Sequence, residues 1–251
     1  YAKICIEKFG LAEVKGVNLS TLADSIRPYV SDNLSEQELF DLMGLFVDRM
    51  QEGHTSLHSV DFNLNKSYYW FTGYPPAFNI TIGNEYYYGP NANPNVQIIT
   101  PDDSFFELLY GFLPQDPEIG YISIASFDMT ISDEELETMM AYLKDSKGLI
   151  IDVRGNLGGF VELVGRMGSY FTNTEVLVGT NYIKNGPGKD DFAANQIRIQ
   201  PSGSAYTYNK PVTVLHDRIS FSSGSLFCLT MTAMPNVTTI GQTYGGGTGE
   251  I

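Results

Sequence analysis

The sequence predicts an α/β fold, because short apolar runs typical of buried strands alternate with helical patterns. From Gly120 onward, strand, turn and helix recur three times. Before that point, helical patterns and irregular strand-like pieces follow one another without such alternation, which indicates α+β elements at the amino-terminal side. We therefore expect an amino-terminal helical part over residues 1–58 and an α/β core over residues 59–251.

The amino-terminal side contains one clear amphipathic helix. Ser35 followed by Glu38 is a capping-box pattern, and apolar residues then recur at helical spacing until the helix ends near Gln51. Residues 63–117 are rich in Tyr, Asn, Pro and Gly, which predicts a meandering β region with short strands such as one at residues 78–82.

The core pattern is more regular. Ser132, with Glu135 three residues later, is a second capping box and opens a helix. A continuous apolar run at residues 148–153 is typical of a fully buried strand. The other predicted elements are strands at 121–125, 176–178, 212–215 and 237–240, and helices at 160–171 and 223–234.

Charge and composition exclude several partners. The 251 residues carry a formal net charge of -14, which repels nucleic acids and anionic membrane surfaces. No apolar stretch is long enough to span a bilayer. Cys5 and Cys228 have no His or Cys neighbours at metal spacing, so we expect no metal site and no cofactor, and Cys228 should be a small core residue. Because the chain begins with Tyr1 and not Met, we expect any targeting segment to lie outside it.

Residues 211–227 read as a buried strand, a short polar loop and a helix, with Ser222 at the junction. A serine in this place lies at the carboxyl edge of a sheet beside the unbonded N–H groups of a helix start, which suits a nucleophile and its oxyanion. The alternative is that Ser222 only caps the helix and that Ser220, Ser223 and Ser225 are ordinary loop residues.

A second segment joins a buried strand to a helix through a turn that contains Gly158 and Gly159. Paired glycines let the backbone approach a ligand closely, so that N–H groups can point at a developing negative charge. A tight structural turn is the alternative. A Walker-type phosphate loop is excluded, because no Lys-Ser or Lys-Thr pair follows the glycines.

Three histidines are candidates for the base that an ordinary hydroxyl nucleophile needs. His58 lies within a predicted strand and His216 at the end of a buried one, where a hydrogen-bonded structural histidine is expected. His54 follows Gly53 in a loop after the amphipathic helix, so it is the histidine that we expect to face a cleft.

Together, three segments resemble the family of C-terminal processing (tail-specific) peptidases, the tricorn core and interphotoreceptor retinoid-binding protein. The segments are EGHT at 52–55, RGNLGG at 154–159 and DRISFSSGSLF at 217–227. The resemblance implies a crotonase-like or ClpP-like core with an amino-terminal helical subdomain. It also implies a serine peptidase that acts on polypeptides, needs no cofactor, and is extracytoplasmic, in the periplasm or at the cell surface.

The resemblance implies roles for four residues. One branch of the family activates its serine with a lysine on the glycine-rich turn after the final strand, but no lysine follows Ser222 here. The tricorn-like histidine branch is therefore expected. By that likeness Ser222 attacks, His54 accepts its proton, and the oxyanion is held by the N–H groups of Ser223 and Gly158.

The chain also departs from that family pattern. The tricorn core has a serine immediately before its histidine, where this chain has Gly53, and its tetrad includes a glutamate well downstream of the nucleophile. Glu250 has the right chemistry but not that offset, so we expect the core to be incomplete at its carboxyl end. The alternative function is a non-catalytic ligand- or peptide-binding protein on the same scaffold, with aromatic residues at 68–74 and 86–88 lining a groove. The sequence does not predict an oligomeric state.

Overall fold

The computed structural model describes residues 1–69, 73, 78–79, 81–83, 87, 93–101, 106–188 and 190–247. These residues form two compact units. The first takes its described residues from 1–72 and 180–195, and the second from 73–179 and 196–248. The division of the chain at residue 58 stays a prediction.

The first unit is mostly helical. Its helices are α1 (Ala2–Lys8), α2 (Leu19–Ile26) and α3 (Glu36–Met50), followed by an antiparallel hairpin of β1 (Ser56–Ser59) and β2 (Leu64–Ser67). Both hydrogen bonds of the predicted capping box at Ser35 and Glu38 are formed, which confirms the start of α3. The helices share a small apolar core made of Cys5, Phe9, Leu19, Ile26, Phe46 and Met50.

The remaining strands are β3 (Gln97–Ile99), β4 (Leu108–Phe112), β5 (Ile119–Ile124), β6 (Gly148–Asp152), β7 (Val176–Lys184), β8 (Phe192–Ile199), β9 (Val212–His216) and β10 (Val237–Gly241). Six of them form the sheet of the second unit in the order β10-β9-β6-β5-β4-β3. The four strands from β10 to β5 are parallel, whereas β4 and β3 are antiparallel additions. β7 and β8 pair separately.

The α-helices of the second unit whose bounds the structure describes are α4 (Asp133–Leu143), α5 (Val161–Gly168) and α6 (Ser223–Thr232). The predicted capping box at Ser132 and Glu135 is formed. One apolar cluster joins the helices to the sheet, with Ile122, Leu136, Ile151, Val214 and Phe227 among its fully buried members. Cys228 belongs to this cluster, and burial raises the pKa of its thiol to about 12, as expected for a small core residue. The α/β class predicted from the sequence is confirmed.

The predicted strand at residues 78–82 is wrong where the structure describes it. Thr81 and Ile82 are helical, and both of their N–H groups donate to Asn79 Oδ1, at 3.1 and 3.3 Å. An asparagine that bonds the backbone two or three residues ahead favours a helical turn over an extended strand, and this bonding overrides the weak strand pattern.

The register of two central strands decides where the loops meet. β6 and β9 are parallel neighbours, and Asp152 at the end of β6 lies opposite Leu215 near the end of β9. The turn that follows β6 and the loop that follows β9 therefore leave the same edge of the sheet side by side. In parallel α/β sheets this carboxyl edge is where ligands bind.

Candidate active site

Ser222 has a strained backbone. It lies at the N-cap of α6 with φ 53° and ψ -123°, a region that residues other than glycine rarely adopt. Its side chain makes no capping hydrogen bond to the helix, so the capping role considered as the alternative is not the one this serine plays. Strain of this kind is retained where the surroundings enforce it, and it concentrates at functional sites.

The three neighbouring serines have structural hydrogen bonds. Ser220 Oγ donates to Val153 O at 2.8 Å, and Ser225 Oγ donates to Ser220 O at 2.8 Å. Ser223 Oγ donates to Gly159 O at 2.5 Å. Each of these three hydroxyls therefore holds a backbone carbonyl of the loops around Ser222.

Asp217 fixes the loop between β9 and Ser222. This carboxylate is buried, and its Oδ1 accepts hydrogen bonds from the N–H groups of Ile219 at 2.9 Å and Ser220 at 3.1 Å. The same oxygen accepts the N–H of Gly155 at 3.1 Å, so it also holds the turn that follows β6. One charged side chain thus sets the spacing of the two loops.

Asn156 organises the glycine turn from within. It is fully buried, its Nδ2 donates to Ile124 O at 2.9 Å, and its Oδ1 accepts the N–H of Gly158 at 2.8 Å. Its backbone carbonyl accepts the N–H of Phe221, the residue before Ser222, at 2.9 Å. This asparagine therefore shapes the turn and ties it to the serine loop.

The two glycines of the turn are required for different reasons. A Cβ on Gly158, at φ 111°, would lie 2.6 Å from the Cβ of Ser222. A Cβ on Gly159, at φ 132°, would lie 2.0 Å from the backbone nitrogen of Asp128. Gly158 thus gives the turn its close approach to the serine, and Gly159 lets the turn pack against the loop after β5.

The backbone N–H groups near Ser222 differ in whether they are already bonded, and the oxyanion role of Ser223 and Gly158 stays a prediction. The N–H of Gly158 is already bonded to Asn156 Oδ1. Within the described part of the chain, the N–H groups of Ser223 and Gly159 donate to no acceptor. Ser223 thus keeps the unbonded N–H that a helix start supplies, and Gly159, not Gly158, carries the unbonded N–H of the turn.

The chain after β10 returns to the serine loop. Gly246 O accepts the N–H of Ser222 at 2.8 Å, and Gly245 N–H donates to Ser220 O at 2.8 Å. Gly246 N–H donates in turn to Ser225 Oγ at 3.0 Å. These bonds hold the backbone of the serine loop, including the N–H of Ser222 with its positive φ.

A buried ion pair supports the start of the turn. Both carboxylate oxygens of Asp152 contact the Arg154 guanidinium, at 2.9 Å from Nε and 2.5 Å from Nη2. The hydroxyl of Tyr121 donates to the same carboxylate at 2.9 Å. The charge of Asp152 is thus satisfied locally at the end of β6, as a buried carboxylate requires.

His54 is positioned in the first unit, just after α3. Gln51 ends the helix in a left-handed conformation, with φ 48° and ψ 46°, and the chain then turns through Glu52. Glu52 Oε2 accepts the backbone N–H of His54 at 2.8 Å, and Glu52 Oε1 lies 3.3 Å from His54 Nδ1. About a third of the His54 side chain is exposed, whereas Glu52 is buried. His54 and Ser222 belong to different units, and their pairing stays a prediction.

The remaining candidate residues are the two other histidines, Glu250 and the aromatic residues at 68–74 and 86–88. His58 lies on exposed β1, where its Nε2 is 2.8 Å from Ser56 Oγ. His216 is buried, and its Nδ1 has no hydrogen-bond partner among the described residues, so the bonded structural histidine expected there is not formed. Glu250 and most of the aromatic residues at 68–74 and 86–88 lie outside the described residues.

In the described residues, no group of three His, Cys, Asp or Glu side chains is arranged to hold a metal ion. None of the helices described in the structure combines the length and the apolar character needed to cross a bilayer.

Sequence reasoning assigned no role to Asp217, Asn156 or Gly246. Asp217 had a usable signature, since an aspartate directly after a buried strand with a serine three residues later commonly forms a side-chain-to-backbone turn. Asn156 lies within the quoted RGNLGG segment, but its side-chain bonds follow from the turn's conformation. Gly246 could not be found, because its contact with Ser222 depends on the path of the chain after β10.

The fold and the site define an α/β protein whose strained serine is placed between a glycine turn and a helix start. The chain belongs to Peptidase family S41, whose profile matches residues 118–251. The Carboxy-terminal processing protease CtpA of Bacillus subtilis (strain 168) is 30% identical over 136 residues, which make up 53% of this chain and 27% of that protein. The Carboxy-terminal processing protease CtpB of the same organism is 27% identical over 138 residues, 53% of this chain and 26% of that protein.

A solved structure extends the likeness to nearly the whole chain. The crystal structure of a Parabacteroides merdae ATCC 43184 protein, assigned as a peptidase, superposes with a TM-score of 0.82 at 30% identity. The match covers 98% of this chain and 74% of that one. The chain spans about a quarter of the length of the two Bacillus proteins that it matches.

Proposed function

We propose that this chain carries the catalytic core of a serine peptidase in which Ser222 is the nucleophile. The observation that carries the proposal is the strained Ser222 at the start of α6, with the unbonded N–H groups of Ser223 and Gly159 on the two loops that meet there. Membership of Peptidase family S41 supports the same function. The neighbouring serine hydroxyls are committed to backbone carbonyls, which supports the choice of Ser222.

In the proposed reaction, Ser222 Oγ attacks the carbonyl carbon of a peptide bond while His54 takes the hydroxyl proton. The N–H groups of Ser223 and Gly159 stabilise the negative charge that develops on the carbonyl oxygen. When the intermediate collapses, the leaving amine takes the proton from His54 and an acyl-enzyme remains. A water molecule then attacks the ester, again with His54 as base, and releases the new carboxylate and free Ser222.

Gly159 replaces Gly158 in this proposal for a physical reason. A hydrogen bond already made in the resting protein must be broken before its donor can serve a transition state, and the N–H of Gly158 is bonded to the buried Asn156 side chain. Gly158 remains essential because its missing side chain leaves the space that Ser222 occupies.

The substrate class follows from the relatives. Both Bacillus proteins are named carboxy-terminal processing proteases, so we propose that polypeptides with a free carboxyl terminus are the substrates here. A pair of otherwise identical peptides, one with a free and one with an amidated carboxyl terminus, tests this preference, and equal cleavage of both would contradict it. The extracytoplasmic location stays a prediction.

A fluorophosphonate label, followed by intact-protein mass spectrometry, tests the proposed nucleophile directly. We expect one adduct on the native chain and none on Ser222→Ala, since only an activated serine reacts quickly with this reagent. Ser202→Ala, which changes an exposed loop serine, is the matched control and should label as the unchanged chain does. An adduct that persists in Ser222→Ala would place the nucleophile elsewhere.

A further inference from the structure

The glutamate two residues before His54 contacts its imidazole ring. Glu52 Oε1 lies 3.3 Å from His54 Nδ1, and the other oxygen of the same carboxylate accepts the backbone N–H of His54 at 2.8 Å. Thr55 Oγ1 adds a third contact to Oε2 at 3.4 Å. Both carboxylate oxygens of Glu52 thus point along the EGHT segment, one at the backbone and one at the ring.

The position of Glu52 is fixed by the end of α3. The left-handed Gln51 reverses the chain after the helix, and the N–H of Thr55 donates to Glu52 O at 3.0 Å, which closes a turn around the side chain. Only 5% of the Glu52 side chain is exposed. A buried, locally bonded carboxylate has little freedom to move, so the ring that it contacts is held in one orientation.

The carboxyl group of Glu52 is ionised at neutral pH. Burial acts to raise the pKa of this carboxyl, but the hydrogen bonds from the His54 side chain and backbone outweigh burial, and the pKa falls below its usual range. Lys15, whose Nζ donates to Gln51 O at 2.5 Å, adds a positive charge nearby. Two further charged groups at this end of the unit, Asp48 of α3 and Lys66 of β2, pair with each other at 2.8 Å.

A carboxylate at Nδ1 has a defined effect on an imidazole. It holds the proton on Nδ1, so that the lone pair lies on Nε2, and it stabilises the imidazolium that forms when Nε2 takes a proton. This is the role that a base needs from a third group, and it is the role for which the sequence offered only the distant Glu250.

We propose that Glu52 is the carboxylate that positions His54 and fixes its tautomer, which makes Ser222, His54 and Glu52 the catalytic set. The proposal rests on the proposed role of His54 as base. Glu52 itself touches no reacting atom, so it is a positioning residue. The carboxylate precedes the histidine by two residues and belongs to the same turn, so the set does not require a glutamate after Ser222.

The decisive variant is Glu52→Gln. Glutamine keeps an oxygen to accept the His54 N–H, and it therefore preserves the turn, but it presents an NH₂ group where the carboxylate faced Nδ1. That change favours the wrong tautomer, and the loss of an orienting carboxylate lowers turnover by up to about 10⁴-fold where it has been isolated. We expect the rate of fluorophosphonate labelling of Ser222 to fall at least 100-fold, with an unchanged dependence on reagent concentration.

Glu38→Gln is the matched control. It makes the same substitution at the other end of α3, where Glu38 takes part in the capping box and is exposed. Its labelling rate should stay within twofold of the unchanged chain. If Glu52 has only a structural role, Glu52→Gln and Glu38→Gln should differ in stability and not in labelling rate.

A spectroscopic readout separates this inference from the proposed function. The ¹⁵N shifts of the imidazole nitrogens report the tautomer, and we expect His54 to carry its proton on Nδ1 in the unchanged chain and on Nε2 in Glu52→Gln. If His54 carries its proton on Nε2 in the unchanged chain, the proposal is wrong. This measurement needs no variant, so it decides the question even if Glu52→Gln does not fold.

The two hypotheses fail in different ways. If His54→Ala loses labelling while Glu52→Gln keeps it, the role of Glu52 is wrong and that of His54 stands. If His54→Ala labels at the full rate, the proposed base is wrong and the role of Glu52 in catalysis falls with it. If both variants lose labelling and the tautomer changes as expected, the proposal holds.

Discussion

Asp217 Oδ1 accepts the backbone N–H of Gly155 at 3.1 Å, and this bond joins the loop that carries Ser222 to the turn that carries Gly158 and Gly159. The same oxygen accepts two N–H groups of its own loop. This buried oxygen atom therefore helps to set the distance between the serine loop and the turn, together with the bond from Phe221 N–H to Asn156 O.

Replacing Asp217 tests this link. Asp217→Ala leaves three backbone N–H groups without their acceptor, and each buried unsatisfied donor costs about 1–3 kcal/mol. We expect the free energy of unfolding to fall by about 3 kcal/mol or more, and labelling of Ser222 to slow at least tenfold at temperatures where the chain is still folded. Asp217→Asn keeps an acceptor oxygen and should recover most of the labelling rate. Equal loss in both variants would show that the link depends on charge and not on bonding geometry.

The strain at Ser222 predicts an unusual stability order. Glycine adopts φ 53° and ψ -123° without the steric penalty that other residues meet, and strain of this kind costs on the order of 1–3 kcal/mol. Ser222→Gly should therefore melt several degrees higher than Ser222→Ala in differential scanning calorimetry, although neither variant can be labelled. Identical melting temperatures of the two variants would show that a residue with a side chain adopts this backbone conformation without a loss of stability.

Gly158→Ala should block the approach of the turn to the serine. The added Cβ would lie 2.6 Å from Ser222 Cβ, closer than carbon atoms pack, so the two loops must separate. The separation also moves the N–H of Gly159, the proposed oxyanion donor, away from Ser222. Loss of one such donor typically costs about 100- to 1000-fold in turnover, and we expect a fall of that size in the labelling rate. Gly165→Ala in α5 is the control, because nothing lies within 4 Å of its added Cβ. The labelling rate of Gly165→Ala should not change. If Gly158→Ala is labelled at the rate of the unchanged chain, the turn has only a structural role.

The pH dependence of labelling distinguishes a histidine base from a lysine base. A neutral imidazole forms at a lower pH than a neutral amine does, so a histidine base predicts a labelling rate that levels off below about pH 9. A rate that continues to rise above about pH 9 would indicate an amine base, although the sequence has no lysine after Ser222.

The lowered pKa of Glu52 predicts how acid affects the first unit. A carboxyl group whose pKa is lower in the folded than in the unfolded chain stabilises the folded state above its unfolded pKa, and this contribution is lost as the pH falls through the folded pKa. The difference in unfolding free energy between the unchanged chain and Glu52→Gln should therefore be largest near neutral pH and shrink below about pH 4. Urea titrations at pH 7 and pH 3.5 measure this difference, and a constant difference would mean that the pKa of Glu52 is the same in the folded and unfolded chains.

The sequence predicted the core elements well because their signals are local. The capping boxes at Ser35 and Ser132 mark helix starts, and the apolar run at 148–153 is long enough to identify a buried strand. Strand β8 was missed, because its pattern contains Ala, Asn, Gln and Arg at positions that pair with β7 and are not buried. The strand predicted at 78–82 failed because one asparagine side chain decides that turn.

The candidate site was predicted in part. Ser222 and the glycine turn could be found from residue types at strand ends, since parallel strands bring their carboxyl ends together. The hydrogen-bond assignments could not, because the N–H of Gly158 is taken by Asn156 only in this turn's conformation, and Glu52 reaches the ring of His54 only because Gln51 is left-handed. A sequence pattern identifies the residues of the site, but the hydrogen bonds that they form depend on the conformation of the folded loops.

The bond between Ser222 N–H and Gly246 O has a consequence for the order in which the site is assembled during synthesis. A ribosome releases the chain from its amino terminus, so Ser222 emerges well before Gly246, and β10 emerges between them. Until Gly246 has emerged, the serine loop lacks this bond to its strained backbone. The complete set of bonds at Ser222 therefore requires a residue that follows β10 in the chain.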